Sequence, residues 1–351
     1  MSNAVAHQLA LSRAKAGDLN GALAALDAVL AGSPQDLTAL LIKGDVLAGA
    51  GEQRGAASAY RLALAAARAA GAGPSPALQR AQTYLAMMTA QLEEFLRADL
   101  MRQFAPSMLS CGRFGHALDL MVGRRQVYHQ QPIKFHYPEL AQRQFFEREE
   151  FAWLGAIEDE TAAIRADLDA VLHRPAQFQP YVEGDIAAQS RDRTGMVNNP
   201  NWSAHFLVKY GARQAAHADA ARATMAALHR APLAEMPHRG PSILFSALQA
   251  KTHIPPHNGF LNTRLICHLP LIVPGSGALR VGNETRAWTL GQALVFDDSI
   301  QHEAWNGSDQ LRVVLIFDIW RPELSAEERA MINALFGALD SFVGEAPNWT
   351  E

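Results

Sequence analysis

The sequence predicts an α+β protein, with an N-terminal α-helical repeat region followed by a jelly-roll β domain with flanking helices. Three observations predict it. Residues 1–105 are rich in Ala and Leu, with few strand formers, and repeat at a spacing of 34. After Gly240 the pattern changes to short strands broken by turns. Between these regions lie segments with helical apolar spacing. The chain has 351 residues, a length that suggests two domains.

In the front region Gly17-Asp18 recurs as Gly51-Glu52, Ala22 as Ala56, Leu26 as Tyr60 and Val29 as Ala63. Each set follows one helix and opens another. Small residues let paired helices approach, and the larger residues at 26 and 60 fill the gap. The period and pattern resemble tetratricopeptide repeats. Two units are clear, and Pro76 to Phe104 continues as helix without the full signature. A groove for a peptide or protein partner is one expectation for such helices; dimerisation or capping is the other.

Residues 106–135 mix Gly, Pro and basic residues and are expected to connect the domains. Phe151 to Leu172 reads as one helix, with Phe151, Leu154, Ile157, Ile164, Leu168 and Val171 on its apolar face. Residues 185–200 read as a polar loop, Trp202 to Tyr210 as a strand and Gln214 to His229 as a helix. The expected strands that follow are Ile243 to Leu248, Asn262 to Val273, Leu279 to Val281 with Glu284 to Trp288 across a Gly282-Asn283 hairpin, Gln292 to Phe296, and Leu311 to Trp320. The expected division is 1–105 helical repeats, 106–135 connection, 136–325 β domain and 326–351 C-terminal helix and tail.

The formal net charge of -4 gives no reason to expect a nucleic-acid partner. No apolar run is long enough for a membrane span, and the start has no signal-peptide pattern. A cytoplasmic location is expected. The two cysteines, Cys111 and Cys267, are expected to be reduced.

Alternation places Arg264, Ile266 and His268 on one face of their strand. It does the same for Arg312, Val314 and Ile316, and for Leu244, Ser246 and Leu248. Polar side chains on an inward face need partners, so Arg264, His268 and Arg312 are candidates to meet a buried anion. His257 and His302 lie beside apolar runs, and neutral imidazole suits iron(II). His253 stands four residues before His257, but Pro255-Pro256 between them argues against a helical metal pair; His253 reads as structural or surface.

With these residues in view, the region from about His136 to Leu324 resembles the aspartyl/asparaginyl β-hydroxylase family. The matching text is His257-Asn258-Gly259, Asn262, Arg264, His268, Gly282-Asn283-Glu284-Thr285, Phe296-Asp297-Asp298-Ser299, His302-Glu303, Trp305, Arg312 and Trp320-Arg321-Pro322-Glu323-Leu324. The resemblance implies a cupin-like double-stranded β-helix and a 2-oxoglutarate- and Fe(II)-dependent dioxygenase using O2 as cosubstrate. It implies His257 and His302 as iron ligands and Arg312, with Ser246 beside it, on the distal carboxylate of 2-oxoglutarate. His268 would contact the other end, Trp202 would line the cosubstrate pocket, and Arg264 would face the substrate.

Most such oxygenases complete the metal site with a carboxylate, where this chain has Gly259. Two protein ligands with added water, or a halide site, are both compatible with glycine. The family's second substrate-facing arginine is replaced by Ile266, which weakens an acidic-substrate reading. The expected reaction is hydroxylation of an unactivated carbon, foremost the β-carbon of an aspartyl or asparaginyl residue or a related small or peptidyl substrate. The alternatives are a lipid acyl-chain hydroxylase, a halogenase, or a non-catalytic binding protein. Asp297 and Asp298 read as turn residues, with orientation of an imidazole as the other possibility.

Overall fold

The computed structural model describes residues 2–104, 112–174, 177–185, 192 and 195–344. Cys111, Pro175 and much of the loop expected over 185–200 lie outside these residues. The chain divides into two compact units, Met1–Gln126 and Val127–Glu351, and the division falls inside the stretch expected to be a connection.

The first unit is helical: α1 (Asn3–Lys15), α2 (Leu19–Gly32), α3 (Leu37–Gly49), α4 (Gln53–Ala69), α5 (Pro76–Gln103) and α6 (Gly112–Met121). The 34-residue spacing is visible in the helices themselves, since α3 and α4 begin at the positions that repeat the starts of α1 and α2. Gly17 and Gly51 occupy equivalent positions just past α1 and α3, with φ of +84° and +78°, where a side chain would be strained. Ala22, Leu26 and Val29 of α2 and Ala56, Tyr60 and Ala63 of α4 are all buried. The approach is close at Gly44, where a Cβ would meet the Tyr60 ring at 2.4 Å. The Tyr60 hydroxyl donates to Asp45 at 2.7 Å.

The second unit is built on two antiparallel sheets. The larger contains β1 (Phe145–Phe146), β2 (Gln179–Pro180), β3 (Trp202–Lys209), β4 (Ala212–Arg213), β5 (Ile243–Leu248), β7 (Arg264–Ile272), β10 (Leu294–Phe296) and β12 (Arg312–Trp320). Its order is β1-β10-β7-β12-β5-β3-β2, with β4 paired to β3. The smaller contains β6 (Thr252–His257), β8 (Gly277–Val281), β9 (Glu284–Ala287) and β11 (His302–Asn306) in the order β6-β11-β8-β9. Non-consecutive strands thus lie side by side, as in a jelly roll.

Alternation decides what each face buries. Leu265, Cys267, Leu269, Val313, Leu315 and Phe317 point to the outer face of the larger sheet. Helices α7 (Leu154–Glu158), α8 (Thr161–Leu172), α9 (Ala215–Ala220) and α10 (Arg222–Leu228) cover that face with Leu154, Ile157, Ile164, Leu168 and Leu228. Cys267 is therefore a free, buried thiol. The alternate residues, including Leu244, Leu248, Ile266, Val314 and Ile316, point inward and meet Ile254, Leu279, Val281 and Ala304 of the smaller sheet.

Several elements differ from expectation. The helix expected over Phe151 to Leu172 is two, α7 and α8, with Asp159 and Glu160 between them. Both segments still bury the expected apolar face, with Leu154 and Ile157 from the first and Ile164, Leu168 and Val171 from the second. The helix expected over Gln214 to His229 is divided at Ala221, whose ψ of 56° is not helical. Strands β6 and β11 were absent from the expected set. The Pro255-Pro256 pair is tolerated because β6 is an edge strand, where a missing N–H breaks no ladder. The C-terminal α11 (Ala326–Val343) packs Ile332 and Phe336 against Trp320 and Leu324 and so belongs to the second unit. Among the described residues no helix is long and apolar enough to cross a membrane.

Candidate active site

The two sheets enclose a cavity of about 300 Å³. Its lining includes Trp202, Ser246, His257, Arg264, His268, His302 and Arg312, all the candidates taken from the sequence. They come from six strands and both sheets.

The histidines are joined by register. His302 of β11 is the direct cross-strand partner of His257 of β6, and their ring centroids are 4.1 Å apart. His257 Nδ1 donates to the Pro255 carbonyl at 2.8 Å, and His302 Nδ1 donates to the Ile300 carbonyl at 3.1 Å. A carbonyl only accepts, so each Nδ1 carries the proton and each Nε2 keeps its lone pair. Burial lowers the pKa of both rings. Two neutral imidazoles so fixed could hold one divalent metal. Backbone carbonyls, not the Asp297 or Asp298 carboxylates, set these tautomers. Among the described residues no cluster of three or more His, Cys, Asp or Glu is arranged as a metal site.

Beyond the histidines the polar demand is unmet. Arg312 is buried and donates to the Ser246 carbonyl at 3.3 Å. Its guanidinium lies over the Trp288 ring, 4.6 Å from the centroid. Burial pulls its pKa down to about 9, so it remains charged at neutral pH. Arg312 Nε, His268 Nδ1 and Trp288 Nε1 are all buried without a partner among the described residues. Such atoms are costly unless a ligand or water meets them. Burial, then the Arg312 charge, pulls His268 down to about 3, keeping it neutral. Trp202 Nε1 donates to Ser246 Oγ at 3.2 Å, and its ring stacks on Tyr181 with centroids 4.1 Å apart.

Arg264 departs from expectation. It was grouped with His268 and Arg312 as a seeker of a bound anion. Its Nη1 instead donates to Asp318 at 2.6 Å and its Nη2 to Asp298 at 3.3 Å. Burial opposes its charge, but the two carboxylates outweigh that and raise its pKa above the ordinary value. Asp318 lies on the inward face of β12 two residues beyond Ile316, a position that alternation could have revealed. Burial pushes Asp298 up to about 7 against the pull of Arg264.

Gly259 has a steric reason to be glycine, since a Cβ there would lie 2.1 Å from Asp298 Oδ2. The turn from Asp297 to Ser299 is held by a buried network. Arg321 Nη1 donates to Asp297 at 2.8 Å, Gln130 Nε2 donates to it at 2.7 Å, and the Ser299 hydroxyl donates to it at 2.5 Å. His253 is exposed and bonded to Glu303 at 2.7 Å, outside the site.

The second unit is thus a jelly-roll protein whose cavity carries two buried imidazoles and an arginine with no carboxylate partner among the described residues. Residues 158–322 match the family model described as Aspartyl/Asparaginyl beta-hydroxylase. The chain is 33% identical over 193 residues to an ornithine lipid ester-linked acyl 2-hydroxylase of Rhizobium tropici, covering 54% of this chain and 65% of that protein. It is 36% identical over 136 residues to the human aspartyl/asparaginyl beta-hydroxylase, covering 38% of this chain and 18% of that protein. The chain thus spans less than two thirds of either relative. Among solved structures, a Cupin_2 domain of an XRE family transcriptional regulator from Enterobacter cloacae aligns at 11% identity and a TM-score of 0.21, over 23% of this chain and 82% of that one. That likeness is too slight to carry an argument.

Proposed function

We propose that the second unit is a 2-oxoglutarate- and Fe(II)-dependent dioxygenase that hydroxylates an unactivated carbon. One observation carries this reading: three buried polar atoms without partners, on Arg312, His268 and Trp288, beside two imidazoles with free Nε2 lone pairs. A small dicarboxylate chelating a metal answers both needs at once. The donor set fits, since neutral imidazole binds iron(II) and a guanidinium fork matches a carboxylate.

His257 and His302 would hold the metal through Nε2. Arg312 would bind the distal carboxylate, with Ser246 beside it and Trp202 fixing the Ser246 hydroxyl. His268, neutral, would contact the other carboxylate end. The apolar inner faces of both sheets exclude water. When bound, iron, 2-oxoglutarate and O2 supply the oxidising chemistry, which yields succinate, carbon dioxide and a hydroxylated substrate.

The Asp298 carboxylate beside Gly259 weighs against a halide at that position, and so favours hydroxylation over halogenation. The Rhizobium relative is named for a lipid acyl chain and the human relative for aspartyl and asparaginyl residues; both offer carbon without an activating group. We read the helix pairs of the first unit as tetratricopeptide-like, with a protein partner as their ligand.

The test is release of succinate from 2-oxoglutarate by the purified chain, dependent on added iron and oxygen, with a substrate pool present. Release that requires both supports the proposal. No release and no iron binding would leave a non-catalytic binding protein.

A further inference from the structure

We propose that the substrate brings an uncharged, apolar chain, and not a carboxylate, into the cavity beyond the histidine pair. The proposal rests on the reading of the site given above and names its substrate class.

Strand β7 sets two poles. Arg264, Ile266 and His268 share its inward face, so the Cα atoms of Arg264 and His268 are roughly 13 Å apart at the strand rise per residue. Arg312 stands at the His268 pole, with no carboxylate within ion-pair distance among the described residues. At the other pole one guanidinium faces two carboxyls, Asp318 and Asp298. That pole has no net positive charge, whether or not Asp298 holds a proton. Among the described residues lining the cavity, Arg264 and Arg312 are the only arginines or lysines. Midway between the poles is Ile266, aligned with Asp318 on β12 and Phe296 on β10. The cavity lining also includes Val182, Met196, Phe260 and the Tyr181 ring, with Tyr210 and Asn258 as further polar members.

A carboxylate entering here would shed its hydration, find no cation without a carboxylate partner, since only Nε of Arg264 is left unbonded, and lie beside two acids. Methylene groups have little hydration to lose and gain from every apolar contact. The two poles therefore divide the work: Arg312 takes the dianionic cosubstrate and the Arg264 end rejects a second anion.

The test uses calorimetry on the whole chain with two probes, N-methyloctanamide and the same amide ending in a carboxylate. Titrations are made with Mn(II) and N-oxalylglycine present and again with neither. The expected result is at least tenfold tighter binding of the uncharged probe in both conditions. Ile266→Arg should shrink that ratio at least tenfold, but the wild-type ratio decides the matter even if this variant does not fold. Equal or tighter binding of the carboxylate probe, tighter binding of a pentapeptide with a central Asp, or no binding of either probe would overturn the proposal. Failure of Mn(II) and N-oxalylglycine to bind would instead strike the cofactor reading, and the metal-free ratio would still read the charge of the Arg264 pole.

Discussion

Gly259 and Asp298 share one space: a Cβ on the glycine would stand 2.1 Å from the aspartate Oδ2. The position where many iron oxygenases carry a ligand carboxylate therefore has no room for one. Gly259→Asp should not build a three-ligand site. It should destabilise the fold by about 1–3 kcal/mol from overpacking alone and weaken Mn(II) binding. Thermal melting and a manganese titration check both. An unchanged melting temperature with tighter metal binding would contradict the steric account.

Removing either imidazole should be more selective. His257→Ala or His302→Ala should abolish Mn(II) binding, followed by loss of the free-ion electron paramagnetic resonance signal, while the helical first unit keeps its circular dichroism. One variant retaining wild-type affinity would mean that the pair is not the metal site.

How much of this was legible in the sequence follows from what each strand buries. β5, β7 and β12 announced themselves because both their faces meet apolar layers, which leaves continuous runs such as RLICHLPLI and RVVLIFDIW. The polar interruptions in those runs, Arg264, His268 and Arg312, were therefore conspicuous. β6 and β11 carry the histidines and were not recognised as strands. One contains two prolines, and the other is five residues long with His302, Ala304 and Asn306 inward. Their pairing register brings the rings together, and no local pattern encodes that. Asp318 was overlooked beside the more apolar Ile316, and with it the neutralisation of Arg264.

The network around Asp297 should matter for stability. Asp297 and Arg321 are both fully buried, and the pair shapes the turn that leads into His302. Asp297→Ala leaves the buried Arg321 guanidinium beside Ala141 and Asn262 with only the partly exposed Glu323 as an acid. The expected loss is about 3–5 kcal/mol in denaturant unfolding, with weakened metal binding. A loss under 1 kcal/mol would show that water replaces the carboxylate.

Acid sensitivity of the metal-free protein should trace in part to His268. Its pKa falls from an ordinary 6.5 to about 3 on burial. Between those values the unfolded chain binds the extra proton and the folded chain does not. Stability from this group is therefore full above about pH 6.5 and is lost as pH drops toward 3, by at most about 1.4 kcal/mol per pH unit. His268→Gln should flatten that slope. Parallel pH profiles for the two proteins from pH 7.5 to 4.5 would contradict the buried, neutral assignment.

The most direct measurement is a crystal structure with manganese and N-oxalylglycine bound. The account predicts the metal on Nε2 of His257 and His302, with the distal carboxylate of N-oxalylglycine on the Arg312 guanidinium beside Ser246. Manganese elsewhere, or the analogue's carboxylate away from Arg312, would contradict it.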